Sequence, residues 1–175
     1  LYLGYEVLYV KNITDVGHMR ETGEDPILLA AEVEGKTPYE IARLRRAGVI
    51  GARAVAEAIR GTRPGMYEYE IAAAAQYMNT RLGARGDGFL PIVPSGPNAP
   101  DVHYDKNTRQ MKSGELVYID YGSDYEYYTS DITRVWPVSG KFTGDQEKMY
   151  RCVLEARDAI IAAMKPGISS CATVS

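Results

Sequence analysis

The sequence predicts an α/β (α+β) fold in which an antiparallel strand pair is flanked by helices. Three observations lead there. Two capping-box signatures, Thr37 with Glu40 and Thr143 with Gln146, each open a segment with apolar residues at three- and four-residue steps. A small-residue stretch between them, rich in alanine around positions 72–75, keeps the same period. The apolar run Leu116-Val117-Tyr118-Ile119 and the segment 127–138 have strand composition and are separated by a short polar connection, as in a hairpin. The order is helix, helix, strands, helix, and 175 residues suffice for one core of ordinary size.

Each element has a local cause. Residues 1–12 include Tyr5-Glu6-Val7-Leu8-Tyr9-Val10, a strand-like run bounded by Gly4 and Asn12, and residues 14–24 are polar and irregular. The first helix starts at Thr37 with Pro38 at its first position, buries Ile41, Leu44, Gly48, Ala52, Val55 and Ile59, and ends at Gly61 before Pro64-Gly65. Arg43, Arg45 and Arg46 read as a solvated face. The second helix, over about residues 67–82, turns Ile71, Ala74, Ala75, Met78 and Leu82 inward, with Gly83 as its left-handed cap. Residues 88–100 carry Pro91, Pro94, Pro97 and Pro100, which fits an edge strand running into a rigid loop. Leu116–Ile119 reads as a strand covered on both faces, and the last helix carries Met149, Cys152, Val153, Ala156, Ile160, Ala163 and Met164 on one stripe.

Composition excludes several classes. The chain is 45% hydrophobic and 25% charged with a net charge of -3, so it is neither disordered by composition nor equipped with a basic field for nucleic acid. No stretch is long enough to cross a bilayer and no secretory segment opens the chain, which predicts a cytoplasmic protein without a membrane partner. Cys152 and Cys171 cannot make a disulfide framework, and with His18 and His103 they lack zinc-finger spacing. With only two histidines, metal chemistry has to rest mainly on carboxylates. The chain opens on Leu1 and its last helix meets the terminator Lys165-Pro166-Gly167, so it reads as part of a longer protein.

The residues out of character are acids. Asp120 ends an apolar strand, and a turn centred between Tyr125 and Glu126 sets it directly opposite Asp131 on one face. Facing carboxylates in a covered sheet need an offset. Either Arg109, Arg134 or Lys112 pairs with them, or they hold a hard divalent cation. His103 follows the rigid loop Ser95-Gly96-Pro97-Asn98-Ala99-Pro100, which lacks the context of a phosphate cradle. The tyrosines at 118, 121, 125, 127 and 128 form either a binding rim or ordinary sheet packing.

Taken together, Val93-Pro94-Ser95-Gly96-Pro97-Asn98, Val102-His103-Tyr104, Ile119-Asp120-Tyr121-Gly122, Ser130-Asp131-Ile132-Thr133-Arg134 and Trp136-Pro137-Val138-Ser139-Gly140-Lys141-Phe142 resemble the aminopeptidase P branch of the M24 metallopeptidases, with Leu44-Arg45-Arg46-Ala47-Gly48 as a further helix signature. The resemblance covers residues 36–175. It implies a pita-bread fold with a curved antiparallel sheet, and a dinuclear centre of manganese type, with cobalt or zinc as alternatives. Asp120 would ligate one ion, Asp131 would bridge both, and His103 would stabilise the scissile amide or the tetrahedral intermediate. The implied reaction is hydrolysis after an N-terminal residue that precedes proline, through polarisation of the carbonyl and activation of a bridging water. The implied partner is a peptide with proline second, and family members assemble into homo-oligomers.

The family draws one more His and two Glu ligands from the second half of the domain. The expectation for this chain is therefore two of five protein ligands, incomplete metal binding and negligible turnover by itself. Residues 1–42 instead resemble a segment of cysteinyl-tRNA synthetases, through Leu3-Gly4-Tyr5-Glu6-Val7-Leu8-Tyr9-Val10-Lys11-Asn12-Ile13-Thr14-Asp15-Val16-Gly17-His18 and Glu34-Gly35-Lys36-Thr37-Pro38-Tyr39-Glu40-Ile41-Ala42, without that class's adenylate-forming signatures. The stretch from Lys36 to Ala42 fits both families, implying a fusion or an assembly join. The division expected is a leader over residues 1–35 and the N-terminal part of a metallopeptidase catalytic domain over residues 36–175. A peptide-binding module without turnover and a synthetase fragment are the alternative readings.

Overall fold

The computed structural model describes residues 36–163. The leader strand, Cys171 and the Lys165-Pro166-Gly167 terminator lie outside the described residues.

Helix α1 spans Pro38–Gly61 and opens with the expected capping box. The Thr37 N–H donates to the Glu40 carboxylate at 2.7 Å, and the Glu40 N–H donates to Thr37 Oγ1 at 3.3 Å. Its buried face differs from the one read from the periodicity. Ala47, Gly48, Ile50, Gly51, Ala54, Val55 and Ala58 are buried with Ile41, whereas Leu44, Ala52 and Ile59 are only partly covered. The helix has rotated toward its smallest side chains because it lies close on the strands. A Cβ added at Gly51 would stand 2.6 Å from Ser130 Oγ and 3.1 Å from Ile132 Cδ1.

Helix α2, Glu68–Arg81, packs on α1 and buries Ile71, Ala72 and Ala75. Ala72 takes the place expected for Ala74. Gly83, with φ of 88°, supplies the left-handed residue past the C-cap. A short strand β1, Gly86–Asp87, leads into the proline-rich stretch and a 3₁₀ turn at Gly96–Asn98. Part of that stretch runs beside the next strand: Ile92 and Asp120 exchange backbone hydrogen bonds at 3.1 and 2.9 Å, and the Tyr118 N–H donates to the Pro94 carbonyl at 3.2 Å. Pro91 and Pro94 have no N–H, so the pairing stays at isolated bridges.

Four strands follow: β2 at Leu116–Tyr121, β3 at Ser123–Tyr125, β4 at Tyr128–Thr129 and β5 at Ile132–Pro137. β2 pairs with β5, and β3 pairs with both β1 and β4, all antiparallel. The register corrects the sequence reading. Asp120 faces Thr133 rather than Asp131, because the turn residues are Glu126 and Tyr127, with φ of 51° and 70°, one position later than expected. A two-residue loop with both φ values positive matches the twist of the strands, and here it forms without the Gly or Asn that usually announces it. The slip amounts to two residues, an even number, so Asp131 stays on the same side of the ladder as Asp120.

Strand β2 is also not covered on both faces as expected. Val117, Ile119 and Tyr121 are buried, while Leu116, Tyr118 and Asp120 alternate with them half-buried. Between β2 and β3, a Cβ at Gly122 would lie 2.2 Å from the Ser130 carbonyl oxygen, so only glycine lets the two arms cross this closely. Val55, Ala58, Ile71, Val117, Ile119, Ile132 and Trp136 meet in one core. The Trp136 indole N–H reaches Thr62 Oγ1 at 3.0 Å inside it.

Helix α3, Gly144–Ala163, begins with the second capping box, Thr143 N–H to Gln146 Oε1 at 2.9 Å and Gln146 N–H to Thr143 Oγ1 at 3.3 Å. Its apolar stripe is not an inner face among the described residues, since Met149, Cys152, Val153 and Ile160 are exposed. No described helix is long and apolar enough to cross a membrane.

Candidate active site

Asp120 is the last residue but one of β2, and Asp131 lies one residue before β5, on the other arm of the same hairpin. His103 comes from the loop after the 3₁₀ turn. The three line one open pocket of about 460 Å³ with Phe89, Leu90, Ile92 and Asp105. The pocket therefore combines carboxylates and an imidazole with apolar side chains. Thr133, the cross-strand neighbour of Asp120, donates its hydroxyl to Asp120 Oδ1 at 2.8 Å.

Electrostatics set the two acids against each other. Desolvation by the surrounding protein raises the pKa of Asp131 above the usual aspartate range even though much of the residue's surface is exposed, and the charge of Asp120 and a hydrogen bond with it raise it further. Of the cationic partners considered from the sequence, Arg134 lies on β5 and donates to the Thr133 carbonyl at 2.9 Å, while Arg109 is committed elsewhere. Arg109 forks onto Glu115 at 2.5 and 2.8 Å and donates to Ser95 Oγ at 2.9 Å. That ion pair holds the Glu115 carboxyl below its ordinary range. Asp120 forms no ion pair among the described residues, and a cation between the two carboxylates would relieve their repulsion. Among the described residues no three His, Cys, Asp or Glu side chains stand close enough to hold one metal ion together, so this region offers a pair of hard oxygen donors rather than a closed shell.

The tyrosines divide. Tyr121 is buried, its pKa raised first by burial and then by its hydrogen bond to Asp87 Oδ1. Tyr128 donates to Glu40 at 3.1 Å, which ties the hairpin to the start of α1. Tyr127 is exposed under Arg85. None of the five lines the pocket. Arg43 departs from the solvated face assigned to it: it pairs with Glu126 at the hairpin tip at 2.6 Å, with its side chain 17% exposed.

One buried acid escaped the sequence reading. Glu68 is fully buried in the first turn of α2 and accepts hydrogen bonds from five donors. Its spacing could have exposed it, because Glu68 precedes Ile71, Ala72, Ala75 and Asn79 along the buried stripe of that helix.

Its likeness to solved structures places this architecture in the pita-bread class. It matches Escherichia coli aminopeptidase P with the inhibitor Pro-Leu at a TM-score of 0.77 and 43% identity, covering 79% of this chain and 31% of that one. A variant of the same enzyme in complex with substrate matches at 0.77 and 42%. The chain belongs to metallopeptidase family M24, whose model matches residues 42–174. It is 44% identical over 134 residues to the Xaa-Pro aminopeptidase of Escherichia coli, and 36% identical over 138 residues to the human Xaa-Pro dipeptidase. Those alignments cover 77% and 76% of this chain and 30% and 28% of the relatives, so the chain spans under a third of their length.

Proposed function

We propose that this chain contributes two metal-binding aspartates and a polarising histidine to a dimetal Xaa-Pro aminopeptidase, which hydrolyses the bond between an N-terminal residue and a following proline. The observation that carries the proposal is the convergence of Asp120, Asp131 and His103 in one pocket of an M24 fold. Asp120 and Asp131 would hold the divalent ions; the Asp131 pKa is raised first by desolvation and then by the charge of Asp120, and a cation would offset both. When bound, such ions supply Lewis acidity for the carbonyl and lower the pKa of a water. Thr133 fixes the rotation of the Asp120 carboxylate. His103, which lines the same pocket, would donate a hydrogen bond from an imidazole N–H to charge developing on the amide oxygen. Phe89, Leu90 and Ile92 give the peptide an apolar wall.

The names of the relatives support the substrate class, and the family match beginning at residue 42 supports reading residues 1–35 as a separate leader. Manganese is the metal proposed, and the remaining ligands are assigned to the part of the relatives' length that this chain does not span. The test is hydrolysis of an Arg-Pro-Pro type peptide with added manganese by the intact protein and by Asp131→Ala and His103→Ala variants, with bound metal measured alongside. Loss of metal and activity in Asp131→Ala, and loss of activity with metal retained in His103→Ala, is the expected pattern. Equal rates in all three proteins would refute the assignment.

A further inference from the structure

We infer that Glu68, on a helix outside the pocket, is the positioning residue that sets His103 over the two aspartates. The inference rests on the reading above for the importance of His103, but its geometry stands apart from that reading. Glu68 Oε1 accepts from the Ser95 N–H at 2.8 Å, the Ser95 hydroxyl at 2.7 Å and the Asn98 side-chain amide at 3.3 Å. Its Oε2 accepts from the Tyr104 hydroxyl at 2.7 Å and the Arg109 N–H at 2.9 Å. Every donor belongs to the loop over residues 95–109. Two of the donor residues precede His103 and two follow it, Tyr104 immediately.

A carboxylate used only to cap its own helix would bond the free N–H groups of that helix's first turn. Glu68 leaves that task to Glu70, which accepts from the Tyr67 N–H at 2.6 Å. The Glu68 backbone N–H instead donates to the Arg109 carbonyl at 3.0 Å, pairing backbone with backbone where the loop ends. Glu68 and Ser95 are both fully buried and Tyr104 is 8% exposed, so water does not compete for these bonds. Residues 99–103, by contrast, include exposed Pro100, Asp101, Val102 and His103. The imidazole therefore rides on a short exposed arc whose two ends are fastened to one carboxylate. In such an arrangement, a displacement of the fastening moves the imidazole without touching the aspartates.

Glu68→Gln is the test, in the intact metal-loaded protein. The Ser95 and Arg109 backbone N–H groups are obligate donors, one on each carboxylate oxygen, so the amide NH₂ of glutamine must face one of them and loosens that end of the arc. Three readouts are taken: hydrogen exchange of residues 95–109, the imidazole NMR signal recorded with diamagnetic zinc in place of manganese and assigned by its loss in His103→Ala, and kcat, KM and metal content with an Xaa-Pro peptide. The expected result is exchange faster by roughly tenfold in the loop, a shifted imidazole signal, and unchanged metal content. With it, kcat falls by roughly 10- to 100-fold, as a misplaced group near 1 Å off can cause, and KM stays within about twofold. In the His103→Ala background the same substitution has no further effect on kcat, because it acts through the imidazole.

Unchanged exchange and an unshifted imidazole in Glu68→Gln would overturn the inference, as would losses that multiply independently with those of His103→Ala. If His103→Ala itself leaves kcat intact, the catalytic reading of His103 fails, while a shifted imidazole still supports the positioning by Glu68. Should Glu68→Gln not fold, Tyr104→Phe removes a single donor next to His103 and must shift the imidazole in the same sense; its silence would overturn the inference.

Discussion

Gly51→Ala tests how tightly α1 is seated against the hairpin that bears the acids. In an isolated helix this exchange stabilises by about 1 kcal/mol, because glycine has more backbone freedom to lose. Here the new Cβ would lie 2.6 Å from Ser130 Oγ, 3.1 Å from Ile132 Cδ1 and 3.4 Å from Ser123 Oγ. Ser130 is buried and its hydroxyl accepts from the Ser123 N–H at 3.0 Å, so it cannot swing aside without leaving that donor unpaired. Overpacking of this kind costs about 1–3 kcal/mol, which leaves a net loss of roughly 1 kcal/mol after the propensity gain. For a chain of this size that corresponds to a fall in Tm of roughly 2–4 °C, read by thermal unfolding followed by circular dichroism. Since Ser130 adjoins Asp131, metal affinity should fall with it. A combined Gly51→Ala, Ser130→Ala variant should be less destabilised than the sum of the two single variants, because removing the hydroxyl opens the space the methyl needs. A rise in Tm for Gly51→Ala equal to the full propensity gain, or strict additivity in the pair, would refute the close-seating argument.

Other substitutions probe the remaining parts. The Glu115 carboxyl is depressed by its hydrogen bond and ion pair to Arg109, so its stabilisation is complete above the unfolded carboxylate pKa near 4.3 and is lost as pH falls through the lower folded value. Glu115→Gln should lower stability at neutral pH and flatten the acid limb of the urea midpoint plotted against pH. Asp131 runs the other way: its folded pKa is raised, so the metal-free protein loses stability as pH rises through that value. Asp131→Asn should therefore raise the Tm of the metal-free protein at pH 7 while abolishing any rise on adding manganese. Trp136→Phe removes the buried bond to Thr62 and should cost about 1–2 kcal/mol, measured by urea unfolding. As Trp136 is the chain's single tryptophan and is 4% exposed, its emission should also resist iodide quenching until the fold opens.

Much of the scaffold was legible because its signals are local. Both capping boxes form as the Thr37-Glu40 and Thr143-Gln146 spacings predict, and the prolines at 91 and 94 keep their stretch out of a full ladder. The hairpin register was displaced because Glu126 and Tyr127 adopt positive φ with no residue type that signals it. The face of α1 was misjudged for a related reason: large apolar residues mark a helix side in sequence, but the side that lies closest to strands is selected for small ones, here Ala47, Gly51 and Ala54. Parity brought the two aspartates to one side in spite of the slip. Glu68 stayed hidden because an acid in a first helical turn is ordinarily a solvent-facing partner of the helix dipole, and only the loop 95–109 gives it another purpose.

The hairpin that bears Asp120 and Asp131 also has a kinetic meaning. Only ten residues separate them along the chain, all within that one supersecondary unit. Closing so short a segment carries a small entropic penalty, and hairpins form in roughly 1–10 μs. Two like charges are thus brought together ahead of the slower docking of distant segments, while water and salt still screen them, and their repulsion grows as the surrounding protein desolvates them. A divalent ion captured by the two carboxylates at that moment would favour the nascent hairpin over the open chain and speed refolding.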